Sequence, residues 1–140
     1  QLADWCYEYA RKAIDSARPI LEQLAERCPL VLVSNFYGNI ESVLKDFGLD
    51  HLFGAIVESA VVGIRKPDPA IFRLGVDKLG FPADEIVVVG DSYDKDIVPA
   101  TRIGCQTIWL KSIGWSAYKG NETADIVLSD FTEIKQVFAL

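Results

Sequence analysis

The chain has 140 residues and a formal net charge of −6, with half of its residues hydrophobic and 24% charged; this is the size and makeup of a single globular domain with its own core. An acidic balance without clustered Lys and Arg argues against a nucleic-acid partner. No apolar run approaches the roughly 20 residues of a membrane span, and the opening QLADWCYEYARK lacks the layout of a signal peptide, so a cytoplasmic location and no membrane partner are expected.

The opening helix is predicted from Leu2, Trp5, Cys6, Tyr9 and Ala13, which recur at three- and four-residue steps along one face. A second helix is predicted from about Pro19, with Ile20, Leu21, Leu24 and Ala25 inward and Pro29 just past its end. Leu30 to Val33 then reads as a short buried strand ending on Ser34-Asn35-Phe36-Tyr37-Gly38. Asn39 is placed to cap a helix whose Ile40, Val43, Leu44 and Phe47 share a face, and Gly48 supplies its left-handed stop. His51, the only histidine, lies in a helix-to-strand connection, which leaves a Ser-His-Asp or Cys-His mechanism one candidate at most. Ala55 to Glu58 is a further strand. The loop that follows reaches Asp68 and Pro69, an N-cap with proline at the first helical position, where no hydrogen bond is lost. Phe72, Val76 and Leu79 pack that helix, and Gly80 closes it.

Ile86 to Gly90 is a run of β-branched residues stopped by glycine, the pattern of a strand buried on both faces. It delivers Asp91, Asp94 and Asp96 within six positions. Asp96 is placed to cap a helix whose Pro99 is tolerated only in the first turn. Cys105 to Leu110 and Ala124 to Leu128 are two more strands, joined by an exposed polar segment, and a last helix begins near Phe131. Cys6, Cys28 and Cys105 are odd in number and widely spaced in apolar surroundings, so buried free thiols are expected rather than a disulfide frame or zinc site. Strands alternating with helices imply βα units and a mainly parallel sheet in a Rossmann-like α/β three-layer sandwich.

In such a sheet Ser34 and Asn35, Lys66, and Asp91 with Asp96 all fall at the carboxyl edge, where ligands of open α/β sheets bind. A hydroxyl, a backbone amide, a cation and paired carboxylates suit a phosphate with magnesium (Mg2+), and a small phosphorylated metabolite as partner. Read alone, Ser34 is equally a hydroxyl satisfying a turn, Lys66 a solvated loop lysine, and Asp96 a helix cap in preference to a metal ligand.

VLVSNF, GIRKPDPAIF and VVVGDSYDKDI, in this order, resemble the second, third and fourth motifs of the haloacid dehalogenase-like (HAD) hydrolases. The resemblance covers Pro19 to about Leu128, and GDSxxxDI together with RKPDPxIF is highly specific. It implies a Rossmann-like core and a magnesium-dependent phosphatase working through a covalent aspartyl-phosphate. Carried over by motif, Ser34 and the Asn35 backbone amide would contact the transferring phosphoryl group. Lys66 would steady nucleophile and phosphate, Asp91 would ligate magnesium, and Asp96 would orient Lys66 or a metal-bound water.

One part of the pattern is missing. The family's first motif, Asp-x-Asp-x-Thr or Val, supplies nucleophile and general acid/base, and no segment here matches it. Residues 1–15 therefore look like a cap remnant or linker and residues 16–140 like an incomplete HAD-like core, inactive alone. In the resembling fold the absent strand lies between Leu30–Val33 and Ile86–Gly90. The expectation is that these two strands pair directly, or that a missing or neighbouring segment fills the slot. A 2-haloacid dehalogenase of the same family, a non-enzymatic phosphoryl-receiver-like domain and an inactive partner-binding remnant stay open as alternatives.

Overall fold

The computed structural model describes residues 2–111 and 120–140, with the side chains of residues 2–7 and 9 outside that description. The predicted inward face of Leu2, Trp5, Cys6 and Tyr9 therefore lies outside the described residues, as does most of the polar segment expected to be exposed before the last strand. In chain order the elements are α1 (Leu2–Arg27), β1 (Val31–Ser34), α2 (Ile40–Asp46), β2 (Ala55–Glu58), α3 (Ser59–Val62), α4 (Pro69–Leu79), β3 (Val87–Gly90), α5 (Val98–Arg102), β4 (Gln106–Leu110), β5 (Ile126–Leu128) and α6 (Ile134–Val137). Every strand pairing is parallel, as the alternation of strands and helices implies.

Two helices were expected before β1, and there is one, running through Pro19. An interior proline costs roughly 3 kcal/mol, and packing on both sides of it offsets that cost. Ile14, Leu21 and Ala25 join Ile40, Leu44, Leu49 and Leu52. Ile20 and Leu24 join Ile108, Leu128 and Ile134. The opposite layer is α4 and α5: Ile71 and Phe72 pack on Val31, Val33 and Val57, and Ala100 meets Ile86 and Val88. Gly75 lets α4 approach β1 closely, because a β-carbon there would lie 3.0 Å from Val33 Cγ2. The result is a three-layer α/β sandwich.

The sheet is interrupted. Among the described residues β1 pairs only with β2, and β3 opens a separate series β3-β4-β5. Between β1 and β3 lies a cleft of about 530 Å³ lined by Val31, Val33, Val87 and Val89 among others. Direct pairing of the two strands is thus corrected, and no described segment of the chain fills the slot. The same gap corrects the expectation that β3 is buried on both faces. Val87 and Val89 are 36% and 39% exposed, because no described strand pairs with β3 on the cleft side.

Local signals held where capping set them. The Asp68 carboxylate accepts the Ala70 N–H at the head of α4, and Gly80 ends that helix with φ of 76°. Asn39 precedes α2 without a side-chain cap bond. The expected loop after β2 contains α3, which ends at Gly63 in a left-handed conformation. Cys105 is buried and free as expected; Cys28 is also free but exposed, since it lies at the far end of α1, where its thiol donates to the Leu24 carbonyl.

Candidate active site

The carboxyl ends of β1 and β3 and the segment before α4 meet along the cleft, which Val33, Lys66 and Gly90 line. Lys66, Gly90, Asp91 and Asp96 all line it. Lys66 Nζ lies 2.7 Å from Asp96 Oδ1, with the two side chains only 16% and 7% exposed. An ion pair this sheltered keeps more of its Coulombic attraction than a surface pair does.

Asp96 is not the helix cap that the sequence favoured. Ser92 caps the turn, its hydroxyl accepting the Lys95 N–H, and Asp96 lies inside a π-helical turn over Tyr93–Ile97. The wider turn brings the Asp96 side chain back beneath the strand end, where Oδ2 accepts the Ser92 N–H at 3.1 Å. One carboxylate therefore joins the lysine to the turn that carries Asp91. Asp91 itself is exposed at the rim, and its carbonyl accepts the Trp109 indole N–H at 3.2 Å. Tyr93 packs against the Trp109 ring with centroids 5.1 Å apart.

Asn35 is committed in a way the sequence did not show. Its side chain accepts the Lys66 N–H at 2.8 Å and donates to the Lys66 carbonyl at 3.1 Å. A primary amide can satisfy both groups of one residue at once, so the end of β1 and the lysine are locked together. Ser34 is the last residue of β1, opposite Glu58 in the register, and it is not among the residues that line the cleft. The structure thus joins Asn35, Lys66 and Asp96 directly, adds Asp91 through the shared turn, and leaves Ser34 adjacent to Asn35.

Asn35 as a side-chain clamp, Glu58, Ser59 and Trp109 were missed by sequence reasoning. Glu58 ends a strand just as Ser34 does, with Ser59 next to it, and that signal was available. The bond from Trp109 was not, because it joins residues 18 apart through a strand neighbour.

Among the described residues no group of three or more His, Cys, Asp or Glu side chains is placed to hold a metal ion. Magnesium commonly takes one or two carboxylates, with waters and substrate phosphate completing its shell. Asp91 fits one such position; the Asp96 carboxylate is already engaged by Lys66 and Ser92.

A family model described as haloacid dehalogenase-like hydrolase matches residues 3–104. The chain is 36% identical over 91 residues to the 5-amino-6-(5-phospho-D-ribitylamino)uracil phosphatase of Escherichia coli, covering 65% of this chain and 37% of that protein. The crystal structure of a HAD phosphatase from Thermococcus onnurineus superposes with a TM-score of 0.76 at 28% identity, covering 86% of this chain and 55% of the other. A 2-haloacid dehalogenase from Pseudomonas syringae gives 0.74 at 27%, covering 89% and 52%. The chain spans less than half the length of such curated relatives. With its motifs, its parallel α/β architecture and these matches, the chain belongs to the haloacid dehalogenase-like hydrolases.

Proposed function

We propose that these 140 residues are part of a magnesium-dependent phosphohydrolase that acts on a small phosphate ester, and that the aspartate nucleophile comes from outside them. The observation that carries this reading is the Lys66–Asp96 pair, tied to the end of β1 through Asn35 and to the Asp91 turn through Ser92. A fixed cation beside an exposed carboxylate at a sheet's carboxyl edge suits a phosphoryl group better than a neutral ligand.

In this reading Lys66 neutralises charge on the phosphoryl oxygens, the Ser34 hydroxyl and Asn35 N–H donate to them, and Asp96 holds the Lys66 ammonium in place. Asp91 would provide one ligand to magnesium, which when bound offsets negative charge on the phosphate. The covalent step needs an aspartate oxygen to attack phosphorus as the ester oxygen leaves with a proton, and water then cleaves the acyl phosphate. No residue of this chain is assigned to the attack, and the chain alone is read as inactive. The slot between β1 and β3 suits a parallel strand from outside these residues, which would deliver the nucleophile next to Lys66. Residues 1–15 are read as the handover from a helical cap, and the protein as cytoplasmic.

A second reading is a 2-haloacid dehalogenase, favoured by the similarity to the Pseudomonas syringae enzyme. The longer protein carrying this chain, assayed with a panel of phosphate esters and of 2-haloacids with and without chelator, separates the two. Phosphate release that stops with chelator supports the phosphohydrolase. Halide release insensitive to chelator overturns it.

A further inference from the structure

The loop after β1 is held from the junction of β2 and α3 by two side chains with no role in the site so far. Glu58 is 6% exposed, yet among the described residues no cation pairs with its carboxylate. Oε2 instead accepts the N–H of Gly38 at 2.5 Å and of Ile40 at 3.3 Å. Ser59 grips the same loop one step earlier: its hydroxyl accepts the Phe36 N–H at 3.0 Å and donates to the Phe36 carbonyl at 3.2 Å. A buried carboxylate is costly unless its lone pairs are met, and bonds from N–H groups to an ionised acceptor are roughly twice as strong as neutral ones.

These contacts fix the loop at every second residue from 36 to 40, just beyond the Ser34 hydroxyl and the Asn35 amide. Asn35 in turn grips the backbone of Lys66, and Lys66 pairs with Asp96. We infer that Glu58 and Ser59 are positioning residues for the anion site: they set the loop that aims Ser34, Asn35 and, through Asn35, Lys66 at a phosphoryl group. The inference rests on the phosphohydrolase reading. It adds that the end of β2, which touches no phosphate oxygen, determines how tightly the site holds one.

The test is a titration of the longer protein carrying this chain, 15N-labelled and with magnesium present, with inorganic phosphate, following the amide signals of Ser34, Asn35 and Lys66. Wild type gives saturable shifts at these amides. Glu58→Ala and Ser59→Ala each weaken binding about tenfold, as expected for loss of one ordering contact, while distant amides keep their native shifts. Ser59→Thr restores affinity, because it keeps the hydroxyl. If Glu58→Ala does not fold, Glu58→Gln replaces it; it keeps one acceptor oxygen without the charge and shows a smaller loss of affinity. Folded variants that bind phosphate as wild type does overturn the inference and leave the phosphohydrolase reading standing. Equal loss in Ser59→Thr and Ser59→Ala also overturns it, by assigning the effect to packing. Absence of any saturable shift in wild type overturns the phosphate reading itself, and the inference with it.

Discussion

A β-carbon at position 90 would lie 2.5 Å from both Cβ and Oδ2 of Asp96. Only glycine lets the end of β3 pass over the side chain that anchors Lys66. Gly90→Ala must push Asp96 aside, which strains the Lys66 pair and the Ser92 bond together. The expected cost is about 2 kcal/mol, in the range of overpacked interiors, read as a lower urea midpoint with unchanged slope.

Lys66→Met leaves Asp96 with the Ser92 N–H as its one partner among the described residues. Breaking one side of a buried pair costs about 3 kcal/mol, whereas removing both charges avoids an uncompensated carboxylate. The double variant Lys66→Met with Asp96→Asn is therefore expected to be more stable than the sum of the single losses allows. A double-mutant cycle by urea denaturation gives that coupling term directly.

Asn35→Ala removes both bonds to the Lys66 backbone. The expected loss is about 1 to 2 kcal/mol, with hydrogen exchange at the Lys66 amide accelerated beyond what the global change accounts for. Asn35→Asp keeps the acceptor for the Lys66 N–H but sets an oxygen against the Lys66 carbonyl, and is expected to fall between wild type and alanine at that amide.

Burial raises the Cys105 thiol above its ordinary value of 9.0. A raised pKa means that the folded state favours the neutral thiol, so this contribution to stability is complete below the unfolded-state pKa and is lost as pH rises through the folded-state value. A thiol reagent near neutral pH is expected to modify Cys28 in the native protein and to reach Cys105 only on unfolding. Mass mapping of the labelled peptides checks the order.

Much of this architecture was legible because it is local. Asp68, Pro69 and Gly80 announce the ends of α4, and the β-branched run before Gly90 announces β3. Pro19 misled because a cap or breaker signal states a cost, while much of the packing that outweighs it, Ile20 and Leu24 on Ile108 and Leu128, comes from strands far along the chain. The exposure of Val87 and Val89 was hidden for a related reason: an apolar run does not reveal which strands lie beside it. At the site, the gathering of Lys66, Asp91 and Asp96 was readable from where strands end. The Asn35 clamp and the Glu58 anchor were not, since both are side-chain bonds to backbone groups 18 to 31 positions away.

The slot between β1 and β3 makes its own prediction. Val89→Lys places a charge at an open cleft in this chain and is expected to change its stability by no more than about 0.5 kcal/mol, as at a surface position. In the longer protein, where a strand is proposed to fill the slot, the same change buries a lysine and is expected to cost more than about 3 kcal/mol. Equal effects in the two proteins would remove the case for an inserted strand.

The central claim, that Lys66 and Asp91 serve one phosphoryl site, is tested most directly by phosphate release from p-nitrophenyl phosphate. The measurement compares the longer protein with its Lys66→Met and Asp91→Asn variants, each confirmed to be folded. The account predicts that each substitution lowers kcat/KM by about a hundredfold or more, and that Asp91→Asn also raises the magnesium concentration needed for half-maximal rate. Turnover at the wild-type rate in folded Lys66→Met protein would contradict it.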